Sequence, residues 1–224
     1  MSTTTNCFSL EARDKVGNTP LLWSVLQLRD DLLCRLINEG ANVNQRNFAG
    51  DTALHIAVKM SNLNAIFILG QSGAEMNLTG SEGETPLHLA AALGNETIMR
   101  LLIKLGAHLN ATDYSGDTPL HWAIRESQEN TVALLIHAGA DKNAKNDDGE
   151  SPLFFATSLK ESRIAHMLIS SGANITDTDY AGISVLQEAK LTGNSSIATT
   201  LENNGAYFTK SQAVPLMVNN YSQV

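Results

Sequence analysis

No stretch of this 224-residue chain approaches the 18 or so consecutive apolar residues of a membrane-spanning helix. Basic clusters are missing as well. Fifteen Lys and Arg stand against 23 Asp and Glu, a formal net charge of −8, so nothing is set out to neutralise a phosphate backbone and nucleic-acid binding is not expected. The opening segment MSTTTNCFSLEARDK has no basic start followed by an apolar run, and does not read as a signal peptide. Two cysteines, Cys7 and Cys34, cannot form a disulfide framework and fit a reducing compartment, the cytoplasm or the nucleus. Chemical signatures are absent too: there is no G-x-S-x-G, no P-loop and no Cys/His pair at metal spacing. No enzyme, cofactor or metal is expected.

What the chain has is a period. Glycines at 17, 50, 83, 116, 149 and 182 keep a spacing of 33 residues, and Gly-Ala pairs at 40, 73, 106, 139, 172 and 205 keep the same spacing. Two independent marks in one register over six copies signal a solenoid or array. The copy at 83–115 shows the unit. Thr85 is a good N-cap, Pro86 suits the first helical position, and Leu87 to Leu93 form a short helix. Gly94-Asn95 breaks it, a second helix carries Ile98, Met99, Leu101, Leu102 and Ile103, and Gly106 ends that helix in the left-handed region. Neither helix is long enough to persist alone, so each needs its neighbours.

The period and the blocks GDTALHIA (50–57), GETPLHLA (83–90) and GDTPLHWA (116–123) resemble the ankyrin repeat over roughly residues 9–209. The resemblance implies an all-α solenoid of six helix-turn-helix repeats with hairpin loops on one side. The expected layout is a loose lead at 1–8, a half repeat at 9–16, repeats at 17–49, 50–82, 83–115, 116–148, 149–181 and 182–208, and a mobile tail at 209–224. The half repeat is either an N-terminal edge or a cut through a longer array. Repeat six carries Val185, Gln187, Glu188, Thr200 and Glu202 where inner copies are apolar or conform to TPLH, as a polar C-terminal cap requires. Repeat two carries Gly70 where the other inner copies have Ile37, Ile103, Ile136 and Ile169. A gap is expected there, with Phe67 either folded over it or exposed as a patch. Repeat two and repeat six are therefore expected to open first.

His55, His88 and His121 share one position in adjacent repeats and would stand roughly 8–10 Å apart, too far to share a metal. The resemblance implies that they brace turns. It also implies a non-catalytic adaptor that binds a protein through a concave groove of hairpin tips and inner helices. The alternatives are a stoichiometric inhibitor of a signalling or transcription partner, and the regulatory ankyrin part of a larger enzyme or channel. Carried over by position, the partner-binding residues are the tips Phe48, Tyr114, Asp147 and Tyr180, the positions after the marking glycine Asp51, Glu84, Asp117 and Glu150, and the inner-helix ends Met60 and Arg125. Each tip also reads as a simple turn former. Each acid also reads as a local helix N-terminus stabiliser. Taken together, the acids would make a negative strip suited to an extended basic segment with apolar anchors. The chain is expected to be a monomer.

Two modification and tail motifs complete the reading. Ankyrin hairpins resemble substrates of an asparaginyl hydroxylase that prefers Leu eight residues before the Asn and an acid two before. Asn77 (with Leu69 and Glu75) and Asn143 (with Leu135 and Asp141) meet both conditions. The terminal Ser222-Gln223-Val224 resembles a PDZ ligand.

Overall fold

The computed structural model describes residues 9–206. The expected lead at 1–8, the tail at 209–224 and the PDZ-like Ser222-Gln223-Val224 lie outside the described residues.

Thr or Ser before Pro, Ala or Val opens every inner helix. Thr19, Thr52, Thr85, Thr118, Ser151 and Ser184 all sit in extended backbone at the N-cap. The helices that follow are α1 (Pro20–Leu26), α3 (Ala53–Lys59), α5 (Pro86–Ala92), α7 (Pro119–Arg125), α9 (Pro152–Ser158) and α11 (Val185–Leu191). Each is followed by an outer partner: α2 (Asp30–Asn38), α4 (Leu63–Gln71), α6 (Glu96–Lys104), α8 (Glu129–Ala138), α10 (Ser162–Ser170) and α12 (Ser195–Asn203). Among the described residues there are six such pairs and no strand, only two isolated bridges, Arg46 to Thr52 and Thr178 to Ser184.

The glycine marks have a backbone cause. The glycines that open the repeats have φ between 74° and 84°, and those of the Gly-Ala pairs between 82° and 98°, where a side chain strains the chain. A third left-handed column lies in the turn between the paired helices. Gly94 and Gly193 occupy it openly, while Leu28, Ser61, Ser127 and Lys160 adopt it against their preference, with φ from 53° to 63°.

The core is a line of stacked layers. Leu21, Leu54, Leu87, Leu120, Leu153 and Leu186 of the inner helices are buried, as are Leu36, Leu69, Leu102, Leu135, Leu168 and Leu201 of the outer ones. Ala57, Ala90, Ala123, Ala156 and Ala189 are also buried and let successive inner helices approach closely. Ser24 stands in that alanine column and satisfies its hydroxyl by donating to Leu21 O at 2.7 Å.

The expected gap at Gly70 is not there. Leu105 of the next repeat fills it: a Cβ built on Gly70 would lie 2.6 Å from Leu105 Cδ1. Phe67 does not cover the position and stays 54% exposed on the outer helices. In repeat six, Val185, Leu186, Ile197 and Leu201 remain buried, while Lys190 and Glu202 pair at 2.7 Å on the surface.

Candidate protein-binding face

Histidine ties three of the inner helices, α3, α5 and α7, to the hairpin that follows. The backbone N–H of Thr52, Thr85 and Thr118 donates to Nδ1 of His55, His88 and His121 at 3.3, 3.0 and 3.2 Å. Each Nδ1 is therefore the acceptor nitrogen, and the proton sits on Nε2. Nε2 donates to the carbonyl of Glu84, Asp117 and Glu150 at 3.3, 3.0 and 3.2 Å. All three rings are fully buried, and burial pulls each imidazole below its ordinary pKa.

Hairpin turns are closed by a second ladder. Asp14, Asn47, Asp113 and Asn146 accept the N–H two and four residues on, as Asn146 does from Asp148 and Glu150 at 3.1 and 2.9 Å. Asp113 also takes the indole N–H of Trp122 at 2.8 Å, and Asp14 that of Trp23 at 2.8 Å.

This ladder decides what happens to the acids after the marking glycines, which do not form an open negative strip. Gly80 has no side chain to close its turn, and the Glu84 carboxylate takes that place: it accepts Glu82 N–H at 2.8 Å and is 5% exposed. Asp117 is 1% exposed, held by Asn146 Nδ2 at 2.9 Å and by Arg125. Asp51 is clasped by Lys59 Nζ at 2.7 and 2.9 Å. Glu150 differs. It is partly exposed, has no cation beside it among the described residues, and burial with Asp148 nearby pushes its carboxyl pKa up. Arg125 is likewise engaged, bound to Asp117 and lying 5.5 Å from the centroid of the Phe155 ring.

The tips stand open. Phe48, Tyr114 and Tyr180 are 71%, 73% and 73% exposed, and Asp147 beside them is exposed. A second apolar row, Met60, Leu93 and Leu159, is exposed at the far ends of α3, α5 and α9, about one seven-residue helix length (~10 Å) away. Between the rows lie Trp122 and Phe155, edge-on to His88 and His121 at 5.5 and 5.6 Å. Sequence reasoning left these two out of the site. Their shared column with Trp23, Ile56 and Leu89 was the available signal, and it does not say which side of a short helix faces out. A shallow depression between α6 and α8, lined by Arg100, Lys104 and His137 among others, lies on the outer helices and shares no residue with this face.

Residues 5–80 and 63–146 match the family described as Ankyrin repeats (3 copies). The chain belongs to the ankyrin-repeat family. A solved structure similar to it is the ankyrin repeat domain of Bcl-3, described as a unique member of the IkappaB protein family. The two share 32% identity with a TM-score of 0.80 over 85% of this chain and 88% of that one. A search of curated proteins returns no match. An ankyrin array is a protein-interaction scaffold. Among the described residues no helix is long and apolar enough to cross a membrane.

The expected hydroxylation sites are structural in this fold. Asn77 Oδ1 accepts His108 N–H at 2.7 Å, and Asn143 Oδ1 accepts Asn174 N–H at 2.8 Å, each tying its loop to the next repeat. Their leucines, Leu69 and Leu135, are fully buried.

Proposed function

We propose that this chain is a non-catalytic adaptor whose tip row and inner-helix face hold an extended basic segment of a partner protein. The observation that carries the reading is the row of three tip aromatics, each more than 70% exposed and more open than any other large apolar side chain among the described residues. Aromatic side chains of this kind serve as interface anchors. Charge complementarity comes from Asp147, Asp148 and Glu150, which pair with no cation among the described residues. Asp51, Glu84, Asp117 and Arg125 support the face from within; Phe48, Met60, Tyr114, Asp147, Glu150 and Tyr180 touch the partner.

The test is affinity purification from cells with the wild-type chain and with a Tyr114→Ser/Tyr180→Ser variant. Serine is what Ser81 already places at this position, so the variant keeps its melting temperature. A protein retained by the wild type and lost by the variant is expected; equal retention refutes the reading. A second reading, a stoichiometric inhibitor of a signalling or transcription partner, is favoured by the likeness to a domain of the IkappaB protein family. Loss of the captured partner's activity at one-to-one ratio separates the two.

Hydroxylation at Asn77 and Asn143 is a further proposal. An enzyme that reads the leucine and the asparagine together meets Leu69 or Leu135 only after the outer helix leaves the core. Slow modification of the intact chain and faster modification near its melting temperature are expected. Mass spectrometry showing all asparagines unmodified at both temperatures, after exposure to such a hydroxylase, removes the proposal.

A further inference from the structure

The tip row has a period of its own, twice that of the repeat. In chain order the tips read Lys15, Phe48, Ser81, Tyr114, Asp147 and Tyr180, so aromatics fall on every second repeat. The structure shows what each ring rests on. A Cβ built on Gly17 would lie 2.6 Å from Phe48 Cδ1, one on Gly83 2.7 Å from Tyr114 Cδ1, and one on Gly149 2.6 Å from Tyr180 Cγ. Each ring therefore lies back on the marking glycine that opens its own repeat. The backbone beneath is fixed as well: Phe48, Tyr114 and Tyr180 N–H donate to Val16, Glu82 and Asp148 O at 3.0, 3.0 and 3.1 Å. One side of each ring is packed and the other is bare, so the anchors are set in position before any partner arrives, and little ordering remains to be lost on binding.

Packed helices stand about 8–10 Å apart, so rings two repeats apart are separated by roughly 16–20 Å. An extended chain rises about 3.3 Å per residue and turns alternate side chains to opposite faces. Five residues cover the lower end of that distance but put the two side chains on opposite faces. Six residues cover about 20 Å and keep them on one face. Between Tyr114 and Tyr180 the row presents Asp147, exposed and unpaired; between Phe48 and Tyr114 it presents the neutral Ser81. Lys145 lies 5.9 Å from the Tyr180 ring centroid, but its charge is taken by Asp177 at 3.0 Å. A helix about 10–12 Å thick, resting on rings that far apart, would not reach the low positions between them, whereas an extended segment can.

We infer that the tip row reads an extended partner segment carrying apolar side chains six residues apart, with a basic side chain on the same face between the second and third. This rests on the adaptor reading above and adds the partner's register to it. Phe48, Tyr114 and Tyr180 take the apolar residues, and Asp147 takes the cation. The basic residue lies about two or four positions past the middle anchor, since those positions share the face toward the row.

Fluorescence anisotropy with synthetic labelled peptides and the full chain tests this. One peptide has three leucines roughly six residues apart in a Ser/Thr/Gln background, with arginines on the same face between the last two. A second has the same composition with leucines roughly four apart, and a third has glutamates for the arginines. A fourth is helical, with leucines about eleven residues apart, which is roughly 16 Å along a helix and keeps them on one face. The first peptide is expected to bind about tenfold or more tighter than each of the others, and to lose that advantage on the Tyr114→Ser/Tyr180→Ser variant. Added salt should narrow its advantage over the glutamate peptide. Equal affinity across spacings, tighter binding of the helical peptide, no binding of the first peptide, or a preference that survives in the variant overturns the inference. Partner capture lost in that same variant would leave the adaptor reading standing while this one falls.

Discussion

One imidazole in each of repeats two to four accepts a backbone N–H bond that needs it neutral, and does so where water does not reach. Nδ1 accepts a backbone N–H, so a proton added there removes the acceptor and leaves a buried charge. Burial holds the folded-state pKa of His55, His88 and His121 below the ordinary value of about 6.5. The unfolded chain then binds more protons than the folded one as pH falls below about 6.5, so stability is whole above that pH and is lost below it. Each histidine contributes at most about 1.4 kcal/mol per pH unit. Repeat six shows a replacement that does not titrate, Gln187, whose Oε1 accepts Ser184 N–H at 2.8 Å. Denaturation from pH 7.5 to 5 is expected to show His88→Gln with a shallower loss of stability than the wild type; parallel curves would refute the assignment. The histidine column was legible in the sequence, and so was its bracing role. The fate of Glu84 was not, because nothing local shows that a carboxylate four residues away replaces the side chain Gly80 lacks. Thr131 is another position the pattern marks. It interrupts the column of Ile98, Ile164 and Ile197, and its buried hydroxyl has no partner among the described residues. Thr131→Val keeps the shape and removes that polar atom, so a gain of about 1 kcal/mol in urea denaturation is expected; a loss would mean the hydroxyl is satisfied in solution.

At the scale of helices, Gly70 and Leu105 form one feature divided between two repeats. A glycine inside a helix costs about 0.5–1 kcal/mol relative to alanine, and on that ground alone Gly70→Ala should stabilise α4. The packing reverses the sign. The added Cβ meets Leu105 Cδ1 at 2.6 Å and Cγ at 3.4 Å, and overpacking of this kind costs about 1–3 kcal/mol. Gly70→Ala is expected to destabilise by roughly 1 kcal/mol. In a Leu105→Ala background the clash is gone and the helix preference remains, so the same change should become stabilising there. A coupling near zero in the double-mutant cycle would show that Leu105 moves aside freely. The sequence displayed the hole and the flanking leucine separately, 35 positions apart. What it lacked was the direction in which α6 leans on α4.

Across the whole molecule, the solenoid was readable because each repeat must repeat the same backbone solution, and glycines in the left-handed region mark that solution in the sequence. The binding face was readable only in part. Tip aromatics cannot be buried by a hairpin that projects from the array, so Phe48, Tyr114 and Tyr180 kept the exposure their positions imply. Acids next to the same glycines had local donors within reach, and Lys59, Arg125 and Asn146 drew two of them in. The distribution of stability follows from the same contacts. In a linear array each repeat is held by its own packing and by the interfaces on either side. Repeats three and four have a neighbour on both sides and a histidine link to the next hairpin. Repeat two, expected from its glycine to be a weak point, has Leu105 seated in the opening and the His55 link to Glu84. Repeat six keeps its buried leucines but places Lys190 and Glu202 at the surface, where an exposed pair adds at most about 1 kcal/mol. Hydrogen exchange is therefore expected to protect residues 50–148 as one block and to release 182–206 first. If repeat two exchanges as early as repeat six, Leu105 does not restore what the missing isoleucine would have supplied. If Leu105→Ala then speeds exchange in repeat two while leaving repeat four slow, the leucine is identified as the residue that joins repeat two to the stable block.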